Sequence, residues 1–174
     1  MARIAVINGL IAGALITVFW YVTKPLWEPE MNFALGEILG YVGMIISLVT
    51  VFVGIKSLRD NQLGGIITFK QGFLQGLYIT LVASFIYVAG WEMYYNNAGS
   101  DMMDQYREYM IKEAKESGMS QKEIEIQQQE MDEMGELYTI APIRWGLTLL
   151  EILPVGLIIT IISALFLVKK SPQS

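Results

Sequence analysis

The sequence predicts an all-α integral membrane protein, a four-helix bundle with an extramembrane two-helix hairpin between its third and fourth helices. Three observations carry that expectation. Four apolar runs, near residues 4–21, 38–55, 73–91 and 145–168, fall in the range of about 17–25 residues that crosses a bilayer. Charged residues are 17% of the chain against 53% hydrophobic, and they gather between the runs. A soluble helix would instead carry charge along one face every turn. Between residues 96 and 144 the chain turns polar and stays rich in helix formers, which points to helices outside the membrane. A length of 174 residues is read as one membrane domain spanning 1–174.

The first run follows only Met-Ala-Arg and ends in "LITVFWYVTKPLW", whose large aromatics do not suit a cleavage site, so it reads as an uncleaved anchor. The second run carries no charge at all. The link after it contains Gly64-Gly65, a turn, and then Thr68-Phe69-Lys70-Gln71, a capping box that starts the third helix near Phe69. In the polar stretch Asp101 and Asp104 favour a helix start, Gly118 a stop, and Ser120 with Glu123 a second capping box. Met103, Tyr106 and Met110 make one apolar stripe; Ile124, Met131, Met134 and Tyr138 make the other. The stripes pack on each other or on the bundle. Gly9/Gly13, Gly36/Gly40 and Gly72/Gly76, with Gly156, Thr160 and Ser163, form small-residue stripes that let helices approach closely in lipid.

Basic residues set the orientation. Arg3, then Lys56, Arg59 and Lys70, then Lys169 and Lys170 all fall on one side if the chain crosses four times, which puts both termini in the cytoplasm. The opposite side receives "TKPLWEPEMNFALGE", with Glu28, Glu30 and Glu37, and the 96–144 hairpin. Trp20, Trp27, Trp91 and Trp145 all fall at that outer side, where the amphipathic indole belongs. The net charge of −5 resides mainly there and argues against nucleic acid as a partner.

The chain has no cysteine and no histidine, which removes thiol catalysis, Ser-His triads and the commonest transition-metal ligand. No catalytic residue is assigned. Met131 and Met134 would present two thioethers on one helix face, a soft-metal pattern that suits Cu(I). Methionine filling irregular apolar contacts explains the same positions more simply, so no metal or cofactor is assigned.

Three carboxylates approach the outer third of the spans: Glu37, Glu92 and Glu151. Glu151 is the sharpest case. A helix starting at Pro154 would leave 15 residues to Val168, about 22 Å and too short to span, so the helix starts nearer Trp145 and includes Glu151. Pro154 cannot donate to the carbonyl of Leu150 and is expected to kink the helix there. An ionisable residue at that depth is an ion- or proton-site candidate. The structural alternative has Glu37 and Glu92 reaching the headgroups, with Glu151 paired to Arg144, seven residues earlier, or hydrogen-bonded across helices. The expected position of the Glu151 side chain is inside the bundle, with Tyr87, Glu92 and Thr17 at matching depths.

The series Gly54-Ile55-Lys56, Arg59-Asp60, Gly65 and Thr68-Phe69, followed by Glu151, Pro154, Val155 and Gly156, resembles a family of bacterial membrane proteins typical of Bacteroidota. That family is catalogued as domain of unknown function number 4199. The resemblance implies a four-helix protein of the bacterial inner membrane and no established activity. Two function classes compete for such a chain. One is a non-enzymatic accessory or assembly subunit that meets a membrane or periplasmic protein through its hairpin. The other is a small ion- or proton-coupled transporter, or a subunit of one, titrating Glu151, for which a homo-oligomer would supply missing walls. A carboxylate enzyme is the weakest class, because paired acids need a defined separation that no spacing here provides.

Overall fold

A computed structural model describes residues 1–28, 32–98 and 101–169; Glu30 and Lys170 lie outside the described residues. Over the described residues the chain forms six helices and no strand: α1 (Ala2–Trp27), α2 (Phe33–Gln62), α3 (Phe69–Ala98), α4 (Asp101–Glu116), α5 (Gln121–Tyr138) and α6 (Ala141–Leu167). Of these, α1, α2, α3 and α6 are long and apolar enough to cross a membrane. They overrun the apolar stretches by up to several residues at an end, except that α6 stops at Leu167, one residue short of its stretch. Hydropathy measures the lipid-compatible part of a helix, whereas its ends are set by capping.

The caps are local and follow the residues. Asn32 opens α2 by accepting the Leu35 N–H at 3.0 Å. Gln71 reaches back to accept the Thr68 N–H at 3.0 Å while the Thr68 hydroxyl accepts the Gln71 N–H at 3.3 Å, so α3 starts at Phe69 as its sequence predicts. Gly118 adopts φ +79° and ends α4, and the Met119 N–H turns back to the Ala114 carbonyl at 3.2 Å. Ser120 and Glu123 then close the reciprocal box that opens α5. The helices therefore break at Gly118, where the sequence places the stop.

In the packing, α3 lies against α1, α2 and α6, and α2 lies against α1 and α6. A Cβ at Gly9 would fall 2.5 Å from the Cβ of Val82, and one at Gly13 would fall 2.5 Å from that of Ile86. Only glycine allows α1 this close to α3. Gly156 meets Thr80 in the same way where α6 crosses α3. The Gly36/Gly40 pair departs from expectation: Gly36 faces the Trp27 ring, but Gly40 has nothing within 4 Å of its would-be Cβ. It faces a cavity instead of a helix.

Met44, Leu48, Val51, Ile55 and Ile79 belong to a buried apolar core, and Thr80, Ser84 and Thr160 are fully buried beside it, Thr80 and Thr160 sharing a 3.3 Å hydrogen bond. Other large apolar side chains point outward, Phe166 being 80% exposed and Val22, Phe85 and Leu150 more than half exposed. So much exposed apolar surface on the long helices suits contact with lipid.

The two ends of the four helices differ. At one, the Met1 ammonium donates to Gln62 at 2.8 Å, and Ile67 and Lys169 exchange backbone hydrogen bonds of 3.3 and 3.1 Å. Arg3, Lys56, Arg59, Lys70 and Lys169 collect at this end. The other end carries α4 and α5. These two contact each other, with Arg107 donating to Asp132 at 2.6 Å, and α5 also contacts α6. The Phe33 ring on α2 meets Tyr106 and Tyr109 on α4, both at 5.3 Å between centroids.

Candidate functional site

The end that carries α4 and α5 holds two polar features, a clamp and a cavity. Arg144, only 3% exposed near the start of α6, centres the clamp. Its Nη2 and Nε donate to the two carboxylate oxygens of Glu92 on α3 at 2.7 and 2.9 Å, the planar two-point geometry that guanidinium favours. Its Nη1 donates to the Tyr138 carbonyl at 2.7 Å and to that of Thr139 at 3.3 Å, which satisfies the end of α5. Its flat face lies on the Tyr95 ring, 3.8 Å from the centroid. Trp145 adds a 3.0 Å donor to Glu92, and Trp91 donates to the Tyr138 hydroxyl at 2.6 Å. Burial pushes the Tyr138 phenol up to about 12, so it stays a neutral partner for Trp91.

This corrects two expectations. Glu92 does not reach for headgroups; it is engaged by Arg144 and Trp145. Arg144 does not pair with Glu151. Helical side chains lean toward the N-terminus of their helix, so Arg144 reaches away from Glu151 toward Tyr138 and Glu92.

The cavity, about 660 Å³ and partly open, lies between the helix ends and α4. Glu151 from α6, Glu37 from α2 and Glu113 from α4 line it. The Tyr87 hydroxyl on α3, itself nine-tenths buried, donates to Glu151 at 3.3 Å. Glu151 thus finds a polar partner on another helix, and it is Tyr87 among the three anticipated. Pro154 lies one turn further along, inside a helix that continues to Leu167. Glu92, the third predicted carboxylate, stays outside the cavity lining. Among the described residues no Lys or Arg lines the cavity, and neither Glu37, Glu113 nor Glu151 enters a salt bridge.

Aromatic rings make most of the wall. Trp20 packs edge-on against Trp91 at 5.5 Å and lies 6.2 Å from Trp27, which is buried. Three of the four tryptophans therefore turn toward one another, while Trp145 alone is exposed. They mark the expected end of the helices, but not as a ring facing lipid. On the α4 side, burial first and then the Glu37 carboxylate hold the Tyr106 phenol above its ordinary value, with Glu113 contributing. Glu113 was not among the anticipated residues, although it continues the face of Tyr106 and Met110 at helical spacing. Met134 also lines this cavity, and Met103, Met131 and Met134 together line a smaller hollow beside α5.

Among the described residues the lining offers three carboxylates, aromatic rings and the phenol hydroxyls of Tyr41, Tyr87, Tyr106, Tyr109 and Tyr138, groups that suit ligand binding. No curated protein and no solved structure matches this chain. The family model described as Protein of unknown function (DUF4199) matches residues 3–169, the span that contains all six helices but for the first residue of α1. By that match the chain belongs to the DUF4199 family.

Proposed function

We propose that the protein is a non-enzymatic binding subunit of the bacterial inner membrane. It crosses the membrane four times with both termini in the cytoplasm, and its periplasmic α4–α5 hairpin roofs a cation-receiving cavity at the outer end of the bundle. One observation carries the reading: among the described residues the cavity is lined by Glu37, Glu113 and Glu151 and by no basic side chain. Several carboxylates that line one cavity favour a cation by simple Coulomb attraction. The basic residues at the opposite end support the orientation.

The test is purification in gentle detergent, with thermal unfolding followed over a series of added cations and mass spectrometry of co-purifying proteins. Cation-dependent stabilisation that is lost in Glu151→Gln supports the reading. Identical unfolding of both proteins in every cation refutes it. A stoichiometric partner would identify the protein as an accessory subunit, with the exposed Ile126, Leu137 and Ile140 side chains of α5 and its following turn as the first contact to test.

A second reading, an ion- or proton-coupled transporter or a subunit of one, is favoured by the Tyr87–Glu151 hydrogen bond. A carboxylate shared with a hydroxyl at a cavity wall can exchange a proton for a ligand. Ion flux in reconstituted vesicles distinguishes it from simple binding.

A further inference from the structure

We infer that the cavity takes an amphiphilic organic cation, an ammonium or phosphonium centre carried on an apolar body, and not a bare metal ion. The inference rests on the cation-receiving reading above and names the ligand class. The volume, about 660 Å³, suits a drug-sized molecule and far exceeds a single ion. Among the described residues no three carboxylates come together closely enough to hold a metal. The negative charge is distributed over separate walls, on α2, α4 and α6.

The wall chemistry points the same way. Trp20, Trp27, Tyr41, Trp91 and Tyr106 contribute aromatic rings to the lining. Aromatic faces attract a soft cation, most strongly where water is scarce, and they pay no desolvation for its apolar substituents. The rings are already packed on one another, as the Trp20–Trp91 and Trp20–Trp27 contacts show, so little order is lost on binding. Tyr41, in the lining, is itself exposed, so the cavity opens to the surroundings of the bundle on that side. Gly40, with nothing within 4 Å of its Cβ position, leaves the floor open. An anion of the same shape would meet three carboxylates and no base. Two sources of the cation share this chemistry, a free lipophilic cation and the amine headgroup of a membrane lipid.

Equilibrium dialysis of the full chain in neutral detergent micelles tests the inference, with empty micelles as baseline. The probes are tetraphenylphosphonium and tetraphenylborate, alike in size and shape and opposite in charge. Saturable binding of the cation alone is expected, weakened roughly threefold or more in Glu37→Gln/Glu151→Gln, since both carboxylates are exposed to the cavity and exposed charge pairs contribute modestly. Gel filtration and thermal unfolding of the double variant exclude misfolding, and Tyr41→Ala, at an exposed position, provides an independent loss of ring surface. Equal uptake of both probes, or unchanged affinity in the double variant, overturns the inference. Phosphatidylethanolamine that displaces the probe assigns the site to a lipid headgroup; no displacement assigns it to a free cation. If the phosphonium fails while Glu151-dependent stabilisation by small cations persists, the ligand class falls and the cation-receiving reading stands. If both fail, both fall.

Discussion

Arg144 and Glu151 lie two turns apart on one helix and do different work. Arg144 is buried and its charge is met by Glu92, two backbone carbonyls and the Tyr95 ring. Removing one partner from a buried pair strands the other, a loss on the order of 3 kcal/mol. Glu92→Gln is therefore expected to lower thermal stability in detergent substantially, and Arg144→Ala similarly. Glu151→Gln should leave the fold within about 1 kcal/mol, because the Tyr87 hydroxyl can donate to an amide oxygen as readily as to a carboxylate. A thermal-unfolding series over the three variants checks the contrast. Equal destabilisation by Glu92→Gln and Glu151→Gln would place both residues in one structural network.

At the scale of the element, the four long helices meet through residues that only their small size makes useful. Gly9→Ala would press a methyl group against the Cβ of Val82 and the carbonyl of Ile79, both held by backbone, so α1 must shift from α3. A cost of about 1–3 kcal/mol is expected. Gly40→Ala meets nothing and should be nearly neutral, and a comparison of unfolding midpoints tests the pair. In α5 the cap predicts a local effect. Ser120→Ala removes an acceptor for the Glu123 N–H and should cost about 1 kcal/mol, read as faster amide exchange in the first turn of α5. The Ser120 hydroxyl and N–H hold the Glu123 carboxyl below the ordinary carboxylate range. A folded pKa lowered in this way contributes stability that is complete above the unfolded pKa and is lost as pH falls through the folded one. Protection at the start of α5, measured relative to the intrinsic exchange rate at each pH, should accordingly fall in acid, and less so in Ser120→Ala.

At the scale of the whole molecule, the prediction concerns sidedness. The chain has no cysteine, so single reporters need no background removal. Ser120→Cys is expected to react with an impermeant maleimide on intact spheroplasts, and Gln62→Cys only after permeabilisation. The Met1–Gln62 contact and the Ile67–Lys169 bridge fix the relative part of this prediction, since they hold both described ends and the α2–α3 turn at one end of the helices. Labelling of the two positions from the same side would contradict the transmembrane reading itself. The reverse pattern would keep four crossings and invert them.

Element number, element order and the starts of α3, α4 and α5 were legible in the sequence alone, because each depends on neighbours a few residues away. Gln71 reaches Thr68, Glu123 reaches Ser120, and Gly118 accepts a positive φ, whatever the rest of the chain does. Four apolar runs and the one-sided basic residues likewise follow from composition along the chain. The site was only half legible. Glu151 stood out as a carboxylate in an apolar run with Tyr87 among three candidate partners, but the choice of Tyr87 from the three, the choice of Glu92 by Arg144, the inward turn of Trp20 and Trp27 and the place of Glu113 did not. Each depends on how far a helix is rotated about its axis and which neighbour it meets, and a shift of one residue turns a side chain by about 100°. That rotation is set by close packing at Gly9, Gly13 and Gly156 between helices distant in sequence, so tertiary structure alone decided which carboxylates share a cavity.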